Sequence, residues 1–227
     1  MPKRKPSKCL IYFDVIHRLL EVAKLGNKQM YEDLFISKNV GLLDLIDLYP
    51  SIKEKLTLEI LVQKATTIMP RYYTIASSSL AHPEEVTIAI SMSILDLFNG
   101  QTRDGLTSGF LRNIFQNWSA DAKITCKSFI KDSNFVMPES SETPIVMVGP
   151  GTGIVPFIGF VQEREKMITD NTETKLGQAD LYFGCREKNT DFIYRDFLAD
   201  AYDKKLLTEL NLAFSRPSED GAKKQYV

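Results

Sequence analysis

The stretch Ile145-Val146-Met147-Val148-Gly149-Pro150-Gly151-Thr152-Gly153-Ile154-Val155-Pro156 runs an apolar strand into a glycine turn and on into a helix start. Glycines at such a turn let backbone N–H groups approach a phosphate, and the orphan N–H groups and positive end of the helix stabilise its charge. Thr152 adds a hydroxyl donor. Taken alone, the same turn is equally a tight structural connection. Gly105-Leu106-Thr107-Ser108 opens an amphipathic helix, so its N–H groups and Ser108 can hold another phosphate, although in isolation it is a helix cap. Arg71-Tyr72-Tyr73-Thr74 joins a permanently charged, bidentate guanidinium to a flat aromatic face. Two core tyrosines on a strand would explain Tyr72 and Tyr73 by themselves. Ser215 and Arg216 end a strand with a hydroxyl and a guanidinium, and Lys224 and Tyr226 follow after a short loop, a basic end suited to a ribose phosphate. Read alone, Lys223 and Lys224 are a solvated surface pair.

The elements that must position these groups follow from periodicity. Residues 8 to 63 carry helical spacing, with Leu19, Leu20, Val22 and Ala23 and then Leu42, Leu43, Leu45 and Ile46 among polar partners. From Arg71 the pattern changes to Tyr72–Ile75 and then Val86, Ile88 and Ile90 at alternate positions, with Ser-rich and His82-Pro83 punctuation, which predicts two antiparallel strands and a turn. Phe110, Leu111, Ile114, Phe115 and Trp118 fall at helix spacing, and Ile124, Phe129, Phe135 and Val136 return to short strand-like pieces. After Pro144 the expected order is strand 145–148, glycine turn, helix 154–167, strand 181–183, helix 192–202 and strand 212–214. Strands alternating with helices imply a parallel sheet with right-handed crossovers.

Composition narrows the function classes. The 227 residues are 44% hydrophobic and 25% charged, a globular profile, and a net charge of −1 gives no overall field to attract nucleic acid or an anionic membrane. Cys9, Cys126 and Cys185 are odd in number and far apart, which argues against a disulfide framework and for a reducing compartment. With only His17 and His82 besides, no metal site is expected. No segment reaches the roughly 18 to 20 uninterrupted apolar residues of a membrane span, so a soluble, cytoplasmic chain is expected. The basic run Met1–Pro6 can be read as a localisation signal, but short Lys/Arg clusters at termini are usually disordered tails.

Gly149–Pro156 resembles the Gly-x-Gly-Thr-Gly-x-x-Pro segment of the ferredoxin-NADP reductase superfamily, and Arg71–Thr74 its Arg-x-Tyr-Ser/Thr flavin motif. The full string Arg71–Ser79, the segment Val148–Glu163, and Leu181–Arg186 followed by Asp191–Arg195 are similar to the diflavin branch, the NADPH-haemoprotein reductases of the cytochrome P-450 reductase type. The resemblance runs from about Leu56 to Val227 and is looser over residues 1 to 55. It implies an α/β plus β fold: an antiparallel FAD-binding barrel with helical connecting elements, followed by a parallel-sheet α/β NADPH-binding domain. The expected divisions are 1–63, partial connecting region; 64–140, FAD domain; and 141–227, NADPH domain, with the last strands of the family's nucleotide sheet expected beyond Val227.

The same resemblance implies roles. Arg71 binds the FAD pyrophosphate, Tyr72 and Tyr73 contact FAD with Tyr73 stacked on the isoalloxazine, and Thr74 is the catalytic hydroxyl near flavin N5. Ala89, Ile90 and Ser91 meet the flavin ring through main-chain groups, and Gly105, Leu106, Thr107 and Ser108 hold the pyrophosphate opposite Arg71. Leu95 stands where the family has an aromatic. NADPH falls to Gly149, Gly151, Thr152, Gly153, Cys185 and Arg186, with Ser215, Arg216, Lys224 and Tyr226 around its 2′-phosphate. Without the resemblance, Cys185 is a buried structural cysteine at a strand end. The implied activity is hydride transfer from NADPH to FAD, then single electrons through an FMN domain, absent here, to a haem protein such as cytochrome P-450. Sulfite reductase, methionine synthase reductase and nitric-oxide synthase systems use similar modules, and an inactive nucleotide-binding fragment is a further alternative. A full-length form with the family's anchor would sit on the cytosolic face of the endoplasmic reticulum.

Overall fold

The computed structural model describes residues 20–24, 26–97, 99–119, 124–217 and 223–227; His17, Cys9 and the basic run 1–6 lie outside them. The chain divides into two compact units, one from Met1–Pro70 with Met92–Trp118 and the other from Arg71–Ser91 with Ser119–Val227.

The first unit carries the short helices α1 (Lys28–Tyr31, running into a π turn at Glu32–Ile36), α2 (Leu42–Leu48), α3 (Pro50–Lys55) and α4 (Leu58–Lys64). A hairpin follows, β1 (Ile94–Asp96) against β2 (Thr102–Asp104), and then helix α5 (Leu106–Gln116). Pro50 opens α3, where its missing N–H costs nothing, and the Thr57 hydroxyl caps α4 by accepting from the Ile60 N–H at 3.3 Å. Asp44 ties the unit together. Its carboxylate, only 7% exposed, accepts from the Gly41 N–H at 2.8 Å and pairs with Arg103 of β2 at 3.3 Å. The hairpin was not legible in the sequence because its three-residue strands are exposed on both faces and carry no alternation.

The second unit holds a three-stranded parallel sheet in the order β3 (Ile145–Val148), β4 (Ala179–Cys185), β5 (Glu209–Phe214). Val148 lies beside Tyr182, and Cys185 beside Phe214, so the carboxyl ends of the strands come together. Between β3 and β4 run a 3₁₀ turn (Gly151–Ile154) and helix α6 (Val155–Asp170), and between β4 and β5 helix α7 (Arg195–Asp203). Met147, Leu181 and Phe183 pack with Ile158 and Val161 of α6 and Leu198 of α7 into one buried cluster. The alternate residues Val146 and Val148 remain exposed on the other face. Lys204 links the two helices by pairing with Glu165 and Asp200. Helix α7 starts later than its apolar spacing suggests because Tyr194 sits in the left-handed region at φ 58°, which cannot continue a right-handed helix.

The segment Arg71–Ser91 makes one antiparallel bridge, Ile75 to Ile88, and not two regular strands. The Ala76 N–H donates to the Thr87 carbonyl at 2.7 Å. Beside it the Ser77 hydroxyl accepts from the Thr87 N–H at 3.0 Å, so a side chain takes a place that a ladder carbonyl would fill. Residues 124–136 form no regular strand either, although Phe135 stacks on Phe160 with ring centroids 5.5 Å apart.

Candidate functional site

At the carboxyl end of β3, Gly149 is buried in the turn. A Cβ there would come within 2.7 Å of the Gly153 carbonyl oxygen and 2.8 Å of the Ile154 Cα, so only glycine closes this turn. Gly151 has φ 56° and nothing within 4 Å of where its Cβ would stand, which leaves an open, left-handed concavity before the helix. Pro156 fits at the start of α6, where no hydrogen bond is lost.

Beyond β4 and β5 the pairing continues: the Ser215 N–H donates to the Cys185 carbonyl at 3.0 Å and the Arg216 N–H to the Arg186 carbonyl at 2.8 Å. The C-terminal segment returns to the sheet through the Gln225 N–H, which donates to Phe214 O at 3.0 Å. The side chain of Val227 fills the space beside Gly184, 3.2 Å from where a Cβ would be. Together these residues enclose a cleft of about 520 Å³. Of the residues assigned to NADPH from the sequence, Gly151, Thr152, Cys185, Arg186, Ser215 and Tyr226 line it, and so does Ser91, assigned to the flavin. Gly149 and Gly153 shape the turn behind it, while Arg216 and Lys224 are exposed and do not line it.

Asp191, which sequence reasoning passed over, also faces the cleft. Its carboxylate grips Arg186 as a fork, Oδ2 to Nε at 3.0 Å and Oδ1 to Nη2 at 2.8 Å. The hydrogen bonds from Arg186 hold the Asp191 carboxyl below the usual carboxylate range and, reciprocally, push the guanidinium up. The only signal in the sequence was the five-residue spacing of opposite charges. Burial pushes the Cys185 thiol up, Asp191 adds to the effect and Arg195 opposes it; the sulfur lies 3.6 Å from the Glu187 carbonyl. A shift in that direction disfavours the thiolate, the form in which a cysteine reacts. A left-handed glycine, a hydroxyl at Thr152, a second at Ser215 and a guanidinium at the mouth make a donor set that suits a phosphorylated nucleotide.

On the flavin side, Arg71 to Ile75 are exposed, with Thr74 among them, and the chain becomes buried at Ala76 and Ser78. The Tyr72 ring meets Phe129 edge-on at 6.0 Å and carries Lys131 Nζ 5.4 Å from its centroid, whereas Tyr73 is 36% exposed. Ala89 and Ile90 are half-buried. Gly105–Ser108 belongs to the other unit. There the Ser108 hydroxyl is turned inward, accepting from the Ser93 N–H at 3.2 Å, so the N–H groups of the first turn of α5 are what that motif presents. Among the described residues no group of His, Cys, Asp or Glu is arranged to hold a metal, and no helix is long and apolar enough to cross a membrane.

Residues 15–110 match the family model of the FAD binding domain and residues 147–227 that of the oxidoreductase NAD-binding domain. The two matches define the class: an oxidoreductase with a flavin domain followed by a nicotinamide-nucleotide domain. Over 212 residues, 93% of the chain, it is 33% identical to the NADPH–cytochrome P450 reductase of Cavia porcellus and 34% identical to that of Rattus norvegicus. Over 160 residues, 70% of the chain, it is 40% identical to that of Drosophila melanogaster, covering 22% of the latter. Within the class, the chain is similar to the NADPH–cytochrome P450 reductases. It spans 30% of the length of the mammalian relatives named.

Proposed function

We propose that this chain is the FAD- and NADPH-binding module of an NADPH-driven flavin oxidoreductase, with residues 64–140 as an antiparallel flavin barrel and 141–227 as the nucleotide domain. The observation that carries this reading is the cleft at the carboxyl ends of β3, β4 and β5, where Gly151, Thr152, Arg186 and Ser215 converge from separate segments. The N–H groups of the 3₁₀ turn and the Thr152 hydroxyl would hold the NADPH pyrophosphate. Ser215, Arg216, Lys224 and Tyr226 would hold its 2′-phosphate; one charge-assisted hydrogen bond is worth roughly 1.5 to 3 kcal/mol, enough for tenfold selection over NADH. Arg71 would bind the flavin pyrophosphate, Tyr73 would lie on the ring and Thr74 would offer its hydroxyl near N5. The flavin, when bound, supplies a two-electron acceptor that can pass electrons on singly. In a chain as long as its relatives the electrons would go on to a haem protein, as the name cytochrome P450 reductase suggests; passage through an FMN domain and a place at the cytosolic face of the endoplasmic reticulum are what the family resemblance implies.

An anaerobic titration of the FAD-loaded chain with NADPH, followed by the oxidised-flavin absorbance with NADH as control, tests the reading. Selective bleaching by NADPH is expected. FAD that binds and never bleaches would refute it in favour of an inactive nucleotide-binding chain.

A further inference from the structure

The segment that carries the flavin motif and the helix that leaves the glycine turn touch at two neighbouring points. The Ser78 N–H donates to the Gln162 side-chain oxygen at 2.9 Å, and Ser78 is only 4% exposed, so water does not replace that acceptor readily. One helical turn nearer the glycine turn, at Gly159, an ideal Cβ would lie 3.5 Å from the Ala76 and Ser77 carbonyl oxygens, so the loop backbone rests directly on the helix. Gly159 and Gln162, three residues apart, share one face of α6. Ala76 is 1% exposed beneath them and the chain reaches Thr74 two residues upstream. Neither residue has a place among the groups assigned to FAD or NADPH.

We infer that Gly159 and Gln162 are positioning residues, which carry the register of Arg71–Thr74 onto the helix that begins at the glycine turn. This rests on the flavin reductase reading. A small residue at 159 leaves room for the loop backbone, which a side chain larger than alanine would push away, and Gln162 supplies an acceptor that fixes where along α6 the loop sits. The consequence is a set distance between the hydroxyl of Thr74 and the nucleotide cleft, and a displacement of about 1 Å between reacting groups costs on the order of a hundredfold in rate.

The test uses the full chain with Gln162→Ala, Gln162→Glu, Gly159→Ala and Gly159→Leu. Amide hydrogen exchange at Ser78, measured without cofactor, reads the contact itself: Gln162→Ala should exchange at least about tenfold faster, and Gln162→Glu, which keeps an acceptor oxygen, as slowly as the wild type. In the FAD-loaded chain, Gln162→Ala and Gly159→Leu should slow single-turnover bleaching by NADPH roughly ten- to a hundredfold while FAD content and the half-saturating NADPH concentration hold steady. Gly159→Ala, whose Cβ meets the loop at ordinary contact distance, should leave the rate unchanged, and Gln162→Glu should restore it. Fast exchange at Ser78 with unchanged bleaching would overturn the inference, as would equal loss of rate, FAD content and NADPH affinity. A wild-type chain that never bleaches would instead overturn the functional reading and the positioning role together, with the exchange result still reporting the contact.

Discussion

Replacing Gly149 with alanine should damage the nucleotide turn more than replacing Gly151, although the second has the unusual backbone angle. At Gly149 the new methyl would stand 2.7 Å from the Gly153 carbonyl oxygen and 2.8 Å from the Ile154 Cα. Both neighbours are backbone of the 3₁₀ turn, which cannot rotate aside as a side chain would. The turn has to open, and forced overpacking of this kind costs about 1 to 3 kcal/mol. At Gly151 the methyl meets nothing within 4 Å, so the cost is the left-handed backbone alone, about 1 to 2 kcal/mol for an L side chain. The decisive difference is geometric. Gly149→Ala moves the N–H groups that would face the phosphate and should weaken NADP⁺ binding about tenfold or more, whereas Gly151→Ala keeps the turn closed and should change binding less than threefold or so. Urea unfolding followed by far-ultraviolet circular dichroism, together with an NADP⁺ titration of each variant, makes the measurement. Equal NADP⁺ affinity in Gly149→Ala and the wild type, or a larger loss in Gly151→Ala, would refute the reasoning.

Three further outcomes follow from the same geometry. Arg164 is 1% exposed and donates to the Leu206 carbonyl at 2.9 Å and the Gly177 carbonyl at 2.7 Å, so Arg164→Leu should destabilise by about 2 to 4 kcal/mol by orphaning two buried acceptors, partly offset by removing a cation that burial disfavours; an unfolding midpoint equal to the wild type would contradict this. Cys126 is exposed and Cys185 buried with its thiol pushed up, so a maleimide should modify Cys126 quickly in the folded chain and Cys185 only after unfolding, as peptide mass mapping would read. Asp191 is held below its ordinary value, so the Arg186 fork is kept at neutral pH and lost only as pH falls through that lowered value. Any change in NADP⁺ affinity near pH 6 should therefore come from the ligand's 2′-phosphate, whose second ionisation lies at about that pH; the change should persist in Asp191→Asn, and its disappearance there would be contrary.

How much of this was legible beforehand depends on the range of the interactions. The strand, glycine turn and helix from Ile145 onward were readable because an apolar run, a Gly-Pro-Gly-Thr-Gly turn and a helical repeat are local signals. So were the alternation of strand and helix and the parallel sheet it implies, observed as β3-β4-β5. Tertiary structure decided the rest. The Val86–Ile90 alternation yields a single bridge because the Ser77 hydroxyl competes for the Thr87 N–H, a choice made across ten residues. Asp191 enters the cleft because a turn after β4 folds its carboxylate onto Arg186. Ser108, read as a phosphate donor, is committed to Ser93, fifteen residues away. The amino-acid sequence by itself determined which backbone turns can exist, since glycine, proline and apolar spacing act within a few residues. Only the folded chain decided which polar side chains remain available, because each is claimed by whichever buried donor or acceptor the packing brings beside it.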